Sequence, residues 1–338
     1  MNTAIAPSTQ AYQQFRFAGS EQWNLSMDYG YSWKSIHLFG EIAMDQNGHL
    51  ANVNGVMWSL HPSIDLVLYS RLLSKKYQSL FGQVFAETNG ANNENGLYTH
   101  LSIQPNRHWA IDVYMDIWKH PWLRFQIDAP STGTEFLSRI TYTQRKKLVA
   151  YFQLKRERKQ QSYAQYPTQQ KALYDKFKTT GRLHLSYTIN QAIELRSRIE
   201  IADFHLQSPN SSLVFYDQDW RTLDETRNNG ILVYQDILYK PIESPFSFTT
   251  RFAIFNIDHY DARIYAYEND VLYQFSIPAY YNKGTRFYLN LKYQLQHLTL
   301  EARYAQTYWA NQATIGSGTE AINGPTRTGV KFQLRYQF

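Results

Sequence analysis

The last ten residues, GVKFQLRYQF at 329–338, decide how this chain folds. Val330, Phe332, Leu334, Tyr336 and Phe338 fall on one side of a β-strand, and Lys331, Gln333, Arg335 and Gln337 on the other. Successive strand side chains point to opposite faces, so this stretch has one wholly apolar and one wholly polar surface. The pattern recurs upstream. Phe287, Leu289, Leu291, Tyr293 and Leu295 alternate with Arg286, Tyr288, Asn290, Lys292 and Gln294. Ile193, Leu195, Ile199 and Ile201 alternate with Glu194, Arg196, Arg198 and Glu200. Leu183, Leu185, Tyr187 and Ile189 repeat the spacing, as do Ile36, Leu38, Ile42 and Met44.

Alternation also occurs in soluble sandwiches, so strand and connection lengths have to separate the two. Many runs reach about 9–12 residues, beyond the usual strand of ~5–6 and near the ~9–11 that cross a bilayer at a tilt. The connections alternate between short and long. Short ones lie at 60–63, 105–108 (PNRH), 144–146, 190–192, 240–245 (KPIESP) and Gln296; long ones at 74–95, 119–133, 156–181, 206–229, 256–285 and 308–324. Outer-membrane barrels sort their connections this way, with short periplasmic turns and long external loops. The expectation is an all-β, antiparallel transmembrane β-barrel over 11–338, after a disordered segment 1–10. It has about sixteen strands (14–18), the first at 11–18, and eighteen if 260–268 and 271–277 form a wall hairpin instead of a lid. Closing the sheet leaves no unpaired backbone facing hydrocarbon.

Composition agrees. Among 338 residues, 27 Tyr, 19 Phe and 8 Trp make 16% aromatic, charged residues are only 18%, and mean hydropathy is −0.52. No run approaches the ~18 apolar residues of a membrane helix. A 43% hydrophobic content argues against disorder. The absence of cysteine excludes disulfides, thiolate metal sites and cysteine nucleophiles. Trp23, Trp33, Trp58, Trp109, Trp118, Trp122 and Trp309, near strand ends, read as interfacial girdles. The opening MNTAIAPSTQ has neither a basic n-region nor an apolar h-region, so an exported chain would be a processed or truncated form.

The runs YDARIYAYENDVLYQFSIPAYYNKGTRFYLNLKY (260–293) and RYAQTYWANQATIGSG (303–318) resemble outer-membrane proteins of Bacteroidetes-type bacteria. These carry a competence-type helix-hairpin-helix domain ahead of a large barrel. GLYTHLSIQP (96–105) and HPWLRFQIDAPSTG (120–133) look like the same barrel. The resemblance covers about 12–338 and implies a membrane component of a DNA-uptake or DNA-binding system. The module that would contact DNA is absent from this sequence, and the barrel is expected to be the C-terminal part of a larger one. The aromatic end, Tyr336 and Phe338, is similar to the C-terminal signal read by bacterial barrel-assembly machinery.

Glu41, Arg71, Asp112, Asp116, Glu194, Arg196, Arg198, Glu200, Arg251, Arg263, Lys292, Glu301, Arg303, Lys331 and Arg335 fall on the polar side of the alternation. They predict an ionic lumen, either a water-filled channel or an interior stitched shut by ion pairs. The overall charge is +6, and +5 of it lies in 155–178, read as an external loop. Lys155, Arg156, Arg158, Lys159, Lys171, Lys176 and Lys178 make that segment a candidate site for anions, lipopolysaccharide foremost and nucleic acid second. Asp258, Asp261, Glu268 and Asp270 are a weak calcium candidate without EF-hand spacing.

No enzyme, cofactor or other metal is expected. The histidines are scattered, no G-x-S-x-G or H-E-x-x-H motif occurs, and Asp112 and Asp116 would lie about 13 Å apart along a strand. The expected function is a pore or passive scaffold in the outer membrane, in contact with its lipid and lipopolysaccharide.

Overall fold

The computed structural model describes residues 4–163, 172–207, 213–216, 219–222, 226–310, 312–316 and 318–338. Fifteen strands form one sheet in sequence order. They are β1 (Asn24–Trp33), β2 (Ile36–Asp45), β3 (Leu50–His61), β4 (Ile64–Leu73), β5 (Glu94–Asn106), β6 (Trp109–His120), β7 (Ser131–Gln144) and β8 (Leu148–Tyr163), followed by β9 (Ala172–Thr188), β10 (Ile193–Gln207), β11 (Thr226–Tyr239), β12 (Phe246–Ile257), β13 (Asn282–Leu295), β14 (Leu298–Trp309) and β15 (Thr326–Tyr336). Every ladder with a described register is antiparallel.

The chain packs as two compact units. One comprises 1–138, 155–177 and 205–226; the other 139–154, 178–204 and 227–338.

Of the expected connections, all but the long loop at 156–181 are present. Turns of a few residues follow β1, β3, β5, β7, β9, β11 and β13, and longer segments follow β4, β6, β10, β12 and β14. Gln296 is in the left-handed region (φ 47°), which is how a two-residue turn joins β13 to β14. One tight turn, after β2, lies at the long-loop end. There the Asp45 carboxylate accepts hydrogen bonds from the backbone N–H groups of Asn47 and His49, both at 2.9 Å.

Among the described residues the sheet has fifteen strands, within the expected 14–18 but not the sixteen at its centre. Residues 11–18 form no strand: Ala11–Gln13 is a 3₁₀ turn. Trp122 Nε1 donates to Ala11 O at 3.2 Å, and Phe15 packs on Trp122 with ring centroids 5.1 Å apart. The expected disorder of 1–10 is likewise not seen where the segment is described, since Ile5 pairs with Gly19.

Burial is inverted relative to a soluble protein. Phe332 is 81% exposed, Leu334 69% and Ile201 56%, whereas Arg251 is 3%, Glu200 3% and Arg71 0% exposed. Trp33, Trp58 and Trp109 are exposed at the short-turn end, as a girdle requires, and Trp23 is exposed just before β1. Trp118 and Trp309 are buried and Trp122 is half-buried against the N-terminal segment, so these three leave the expected girdle.

Candidate functional site

The polar faces hold nearly all the chemistry. In the second unit Asp236 and Arg251 sit directly opposite in the β11–β12 ladder. Arg251 donates to both Asp236 oxygens, at 2.5 and 2.7 Å, and its guanidinium stacks 3.6 Å from the Tyr234 ring centroid. Arg182 donates twice to Glu200, at 2.9 and 3.1 Å, and Arg198 donates to the same carboxylate. Removing such charges from water is costly, and it is tolerated here because each carboxylate is hydrogen-bonded by a guanidinium.

Across this face runs the connection 258–281. It is not a wall hairpin, so the lid alternative is the one realised. Residues 263–272 are met by successive strands. Lys178 of β9 donates to Arg263 O at 2.8 Å, Arg198 of β10 to Tyr265 O at 3.4 Å, and Arg251 of β12 to Tyr267 O at 2.8 Å. Asn290 of β13 donates to Asn269 O at 2.7 Å, and Gln333 of β15 to Leu272 O at 3.0 Å. Leu272 N in turn donates to Glu301 of β14 at 2.8 Å. The strap thus crosses the strands, reaching Glu301, the fourth residue of β14 from the short-turn end.

Its anchor is Glu268, 0% exposed. One carboxylate takes hydrogen bonds from Arg286 (2.6 and 2.8 Å), Arg303 (2.5 Å) and Tyr280 (2.9 Å). Burial by itself would raise this carboxyl, but those donors and charges outweigh it and hold it below the ordinary value. Glu268 lies outside the strands. Beside it Asp270 receives Lys331 at 2.7 Å. The strap closes on itself through a short ladder of Ile264–Tyr265 with Ala279–Tyr280 and a bridge between Glu268 and Ser276.

In the first unit Arg71 donates to Glu94 at 2.5 Å and to Asp116 at 3.0 Å. Its guanidinium lies over Gly96, its ladder partner, where a Cβ would come within 2.5 Å of it. A side chain there would displace the ion pair.

The sequence-predicted polar residues therefore divide. Arg71 with Asp116, Glu194 with Arg196, Arg198 with Glu200, and Lys292 with Glu301 are paired. Arg251, Arg303 and Lys331 bind the strap or its support. Asp112 sits 3.4 Å from His100. Glu41 is exposed and Arg335 half-buried on the polar faces of β2 and β15. Arg263 belongs to no strand. It caps the 3₁₀ turn Tyr260–Ala262 and stacks 4.2 Å from the Tyr260 centroid. Asp236, Glu94 and Arg182 lay outside the sequence-predicted set, though parity within ENGLYTHLS and GRLHLS places Glu94 and Arg182 inward.

Two candidate sites are corrected. The basic segment 155–178 is not a loop, since β8 runs on to Tyr163 and β9 starts at Ala172. Lys155 meets Glu135 at 2.9 Å, Lys159 meets Glu87 at 2.5 Å, and Arg158 meets Asp175 at 2.9 Å. Arg156 stacks over Phe177 and Lys178 holds the strap, while Lys176 is on β9 and Lys171 lies outside the described residues. Glu135 and Glu87 thus bring two carboxylates to the basic segment from outside it. The calcium candidate also dissolves. Glu268 and Asp270 serve cations of the protein, Asp258 accepts from Asn229 N at 2.8 Å, and Asp261 lies 3.2 Å from His259. Among the described residues no group of three metal-ligating side chains occurs. Tyr336 and Phe338 are exposed at the end of β15, their rings 5.2 Å apart.

No protein-family model and no curated protein matches the chain. Among solved structures it is similar to a mutant ferric enterobactin receptor of Pseudomonas aeruginosa (9% identity, 93% of this chain, 59% of that one, TM-score 0.47). It is similar to the outer-membrane channel DcaP of Acinetobacter baumannii (10% identity, 95% and 86%, TM-score 0.43). It is also similar to OmpT, an outer-membrane protein of Vibrio cholerae (12% identity, 95% and 90%, TM-score 0.41). The chain spans about three-fifths of the length of the enterobactin receptors it matches. At these identities and scores, a functional reading has to rest on the chain's own side chains.

Proposed function

We propose that the chain is an integral protein of the bacterial outer membrane, its sheet closed into a β-barrel, and that it acts as a passive scaffold with an ionic interior instead of a freely open pore. The observation that carries this is the inversion of burial. Apolar residues on alternate positions are exposed, and Arg71, Glu200, Asp236, Arg251 and Arg303 between them are buried and paired. In water, that many exposed Leu, Ile, Phe and Tyr side chains would drive aggregation; in hydrocarbon they are the required surface.

The apolar band has a margin. Along β10, β11 and β12 the exposed series passes from Ile201, Ile231 and Ile254 to Asp203, Asn229 and Asn256 at the long-loop end. Arg227 pairs there with Asp203 at 2.7 Å. Such a change from hydrocarbon-compatible to polar side chains is what a headgroup boundary demands, and lipopolysaccharide and other outer-membrane lipid are the partners it implies. Assembly machinery acting on Tyr336 and Phe338 would deliver the chain.

The strap favours the scaffold over the open pore, because it crosses the polar face of the second unit and is hydrogen-bonded to β9, β10, β12, β13, β14 and β15. Reconstitution into planar bilayers tests this. The expected result is detergent-dependent purification and no large steady conductance. A constant ohmic conductance in every insertion would show an open pore.

A further inference from the structure

One polar cluster lies on the wrong face. On the apolar, exposed side of β1–β4 sit Tyr29, Asn52, Asn54 and Ser70, around Gly40. Tyr29 pairs with Gly40, Gly40 with Asn54, and Asn54 with Ser70, so the four ladder positions share one face. The Tyr29 ring lies across Gly40, within 2.6 Å of where a Cβ would be, and its hydroxyl donates to Asn54 Oδ1 at 2.9 Å. Asn54 Nδ2 donates to Asn52 Oδ1 at 3.1 Å. Apolar side chains flank the cluster along every strand: Met27 on β1, Leu38 and Ile42 on β2, Val56 on β3, Leu68 and Leu72 on β4. The cluster is therefore inside the band, not at its margin.

Those two hydrogen bonds leave capacity over. Among the described residues the Asn52 amide N–H₂, the second Asn54 N–H and the Ser70 hydroxyl have no protein acceptor. Another outward polar pair behaves differently: Ser197 donates to Gln235 at 2.5 Å, and Gln235 donates to backbone carbonyls of Arg196 and Asp236. That pair is self-contained. Lipid tails offer no hydrogen bonds, and polar side chains in a membrane find partners across protein–protein contacts.

We propose that the outward face of β1–β4 binds a second copy of this chain, with Asn52 and Asn54 at the centre of the contact. The inference rests on the membrane reading above. The occupant is argued from complementarity. Asn carries donors and an acceptor together, so a patch of Asn, Ser and Tyr satisfies itself when two copies meet about a two-fold axis. Gly40, covered only by a flat ring, lets the two walls approach. Including β5, the face is roughly 20 Å by 30 Å, which from two copies gives about 1,200 Å², the low end of stable interfaces.

The chain has no cysteine, so Asn52→Cys introduces a single thiol. In lipid nanodiscs or mild detergent the wild type is expected at twice the chain mass, and oxidised Asn52→Cys is expected as a disulfide-linked dimer. Leu185→Cys, on the apolar face of β9, stays uncrosslinked. Asn52→Leu with Asn54→Leu should fold, judged by heat-modifiable gel migration, and run as a monomer; Ser197→Ala with Gln235→Leu should leave the dimer intact. A detergent-dependent wild type that is monomeric and fails to crosslink at position 52 would overturn the proposal while leaving the membrane reading standing. A chain soluble without detergent would overturn the membrane reading itself.

Discussion

Glu268 and Arg303 lie 35 residues apart in sequence and meet at 2.5 Å, both essentially buried. One belongs to a connection and the other to the wall. Their contact, with Arg286 and Tyr280 completing the cage, turns a long loop into a strap fixed across the polar face.

Glu268→Gln should release that strap. The substitution keeps the shape and removes the counter-charge of two guanidinium groups, and breaking a buried pair from one side costs about 3–5 kcal/mol. Limited proteolysis between Asp258 and Tyr281 is expected to become fast in the variant, with the strands still protected. Equal protection in wild type and variant would show that Glu268 does not hold the strap.

Acid should do the same reversibly. Glu268 is held below its ordinary value of 4.5. A carboxyl depressed in the folded state contributes stability that is fully present above 4.5 and is lost as pH falls through the lowered value. Protection of Val271 and Leu272 against hydrogen exchange, relative to the intrinsic rate at each pH, should therefore fall on acidification below 4.5, and Glu268→Gln should abolish that dependence. Protection that is flat in the wild type would contradict the assignment.

On the apolar face, Ile199→Lys should impair insertion. A lysine facing lipid near the midplane costs about 2–4 kcal/mol, falling toward the interface. The same change at Asn229, on the polar margin of β11, should be nearly neutral. Folding into vesicles followed by urea titration distinguishes them, and equal losses at both positions would argue against a hydrocarbon band.

Deleting Phe338, or replacing both Tyr336 and Phe338 with Ala, should reduce membrane insertion in cells several-fold without altering refolding in detergent. Unchanged insertion would remove the assembly-signal assignment.

The wall was legible wherever its two faces meet different solvents. β13, β14 and β15 could be read residue by residue, because lipid on one side and ion pairs on the other impose period two. The signal vanished at Lys155–Lys159, where β8 carries polar residues on both faces, and the strand was mistaken for a loop. It left two readings open at 264–268, where Ile264, Ala266 and Glu268 are buried alternately as in a wall strand yet belong to the strap. Parity places a charge on a face but names no partner. The cage around Glu268 joins residues 12 to 35 positions away, a pairing fixed by register and by the path of the strap.

The most direct test asks what touches the exposed apolar side chains. Single cysteines at Ile201, Phe252 and Phe332, spin-labelled in the otherwise thiol-free chain and reconstituted in lipid, report collision rates with oxygen and with a water-soluble nickel complex. The account predicts oxygen-dominated collisions at all three sites and nickel-dominated collisions at Asn229. Nickel-dominated collisions at Ile201, Phe252 and Phe332 would mean that these faces meet water, and the membrane reading would be contradicted.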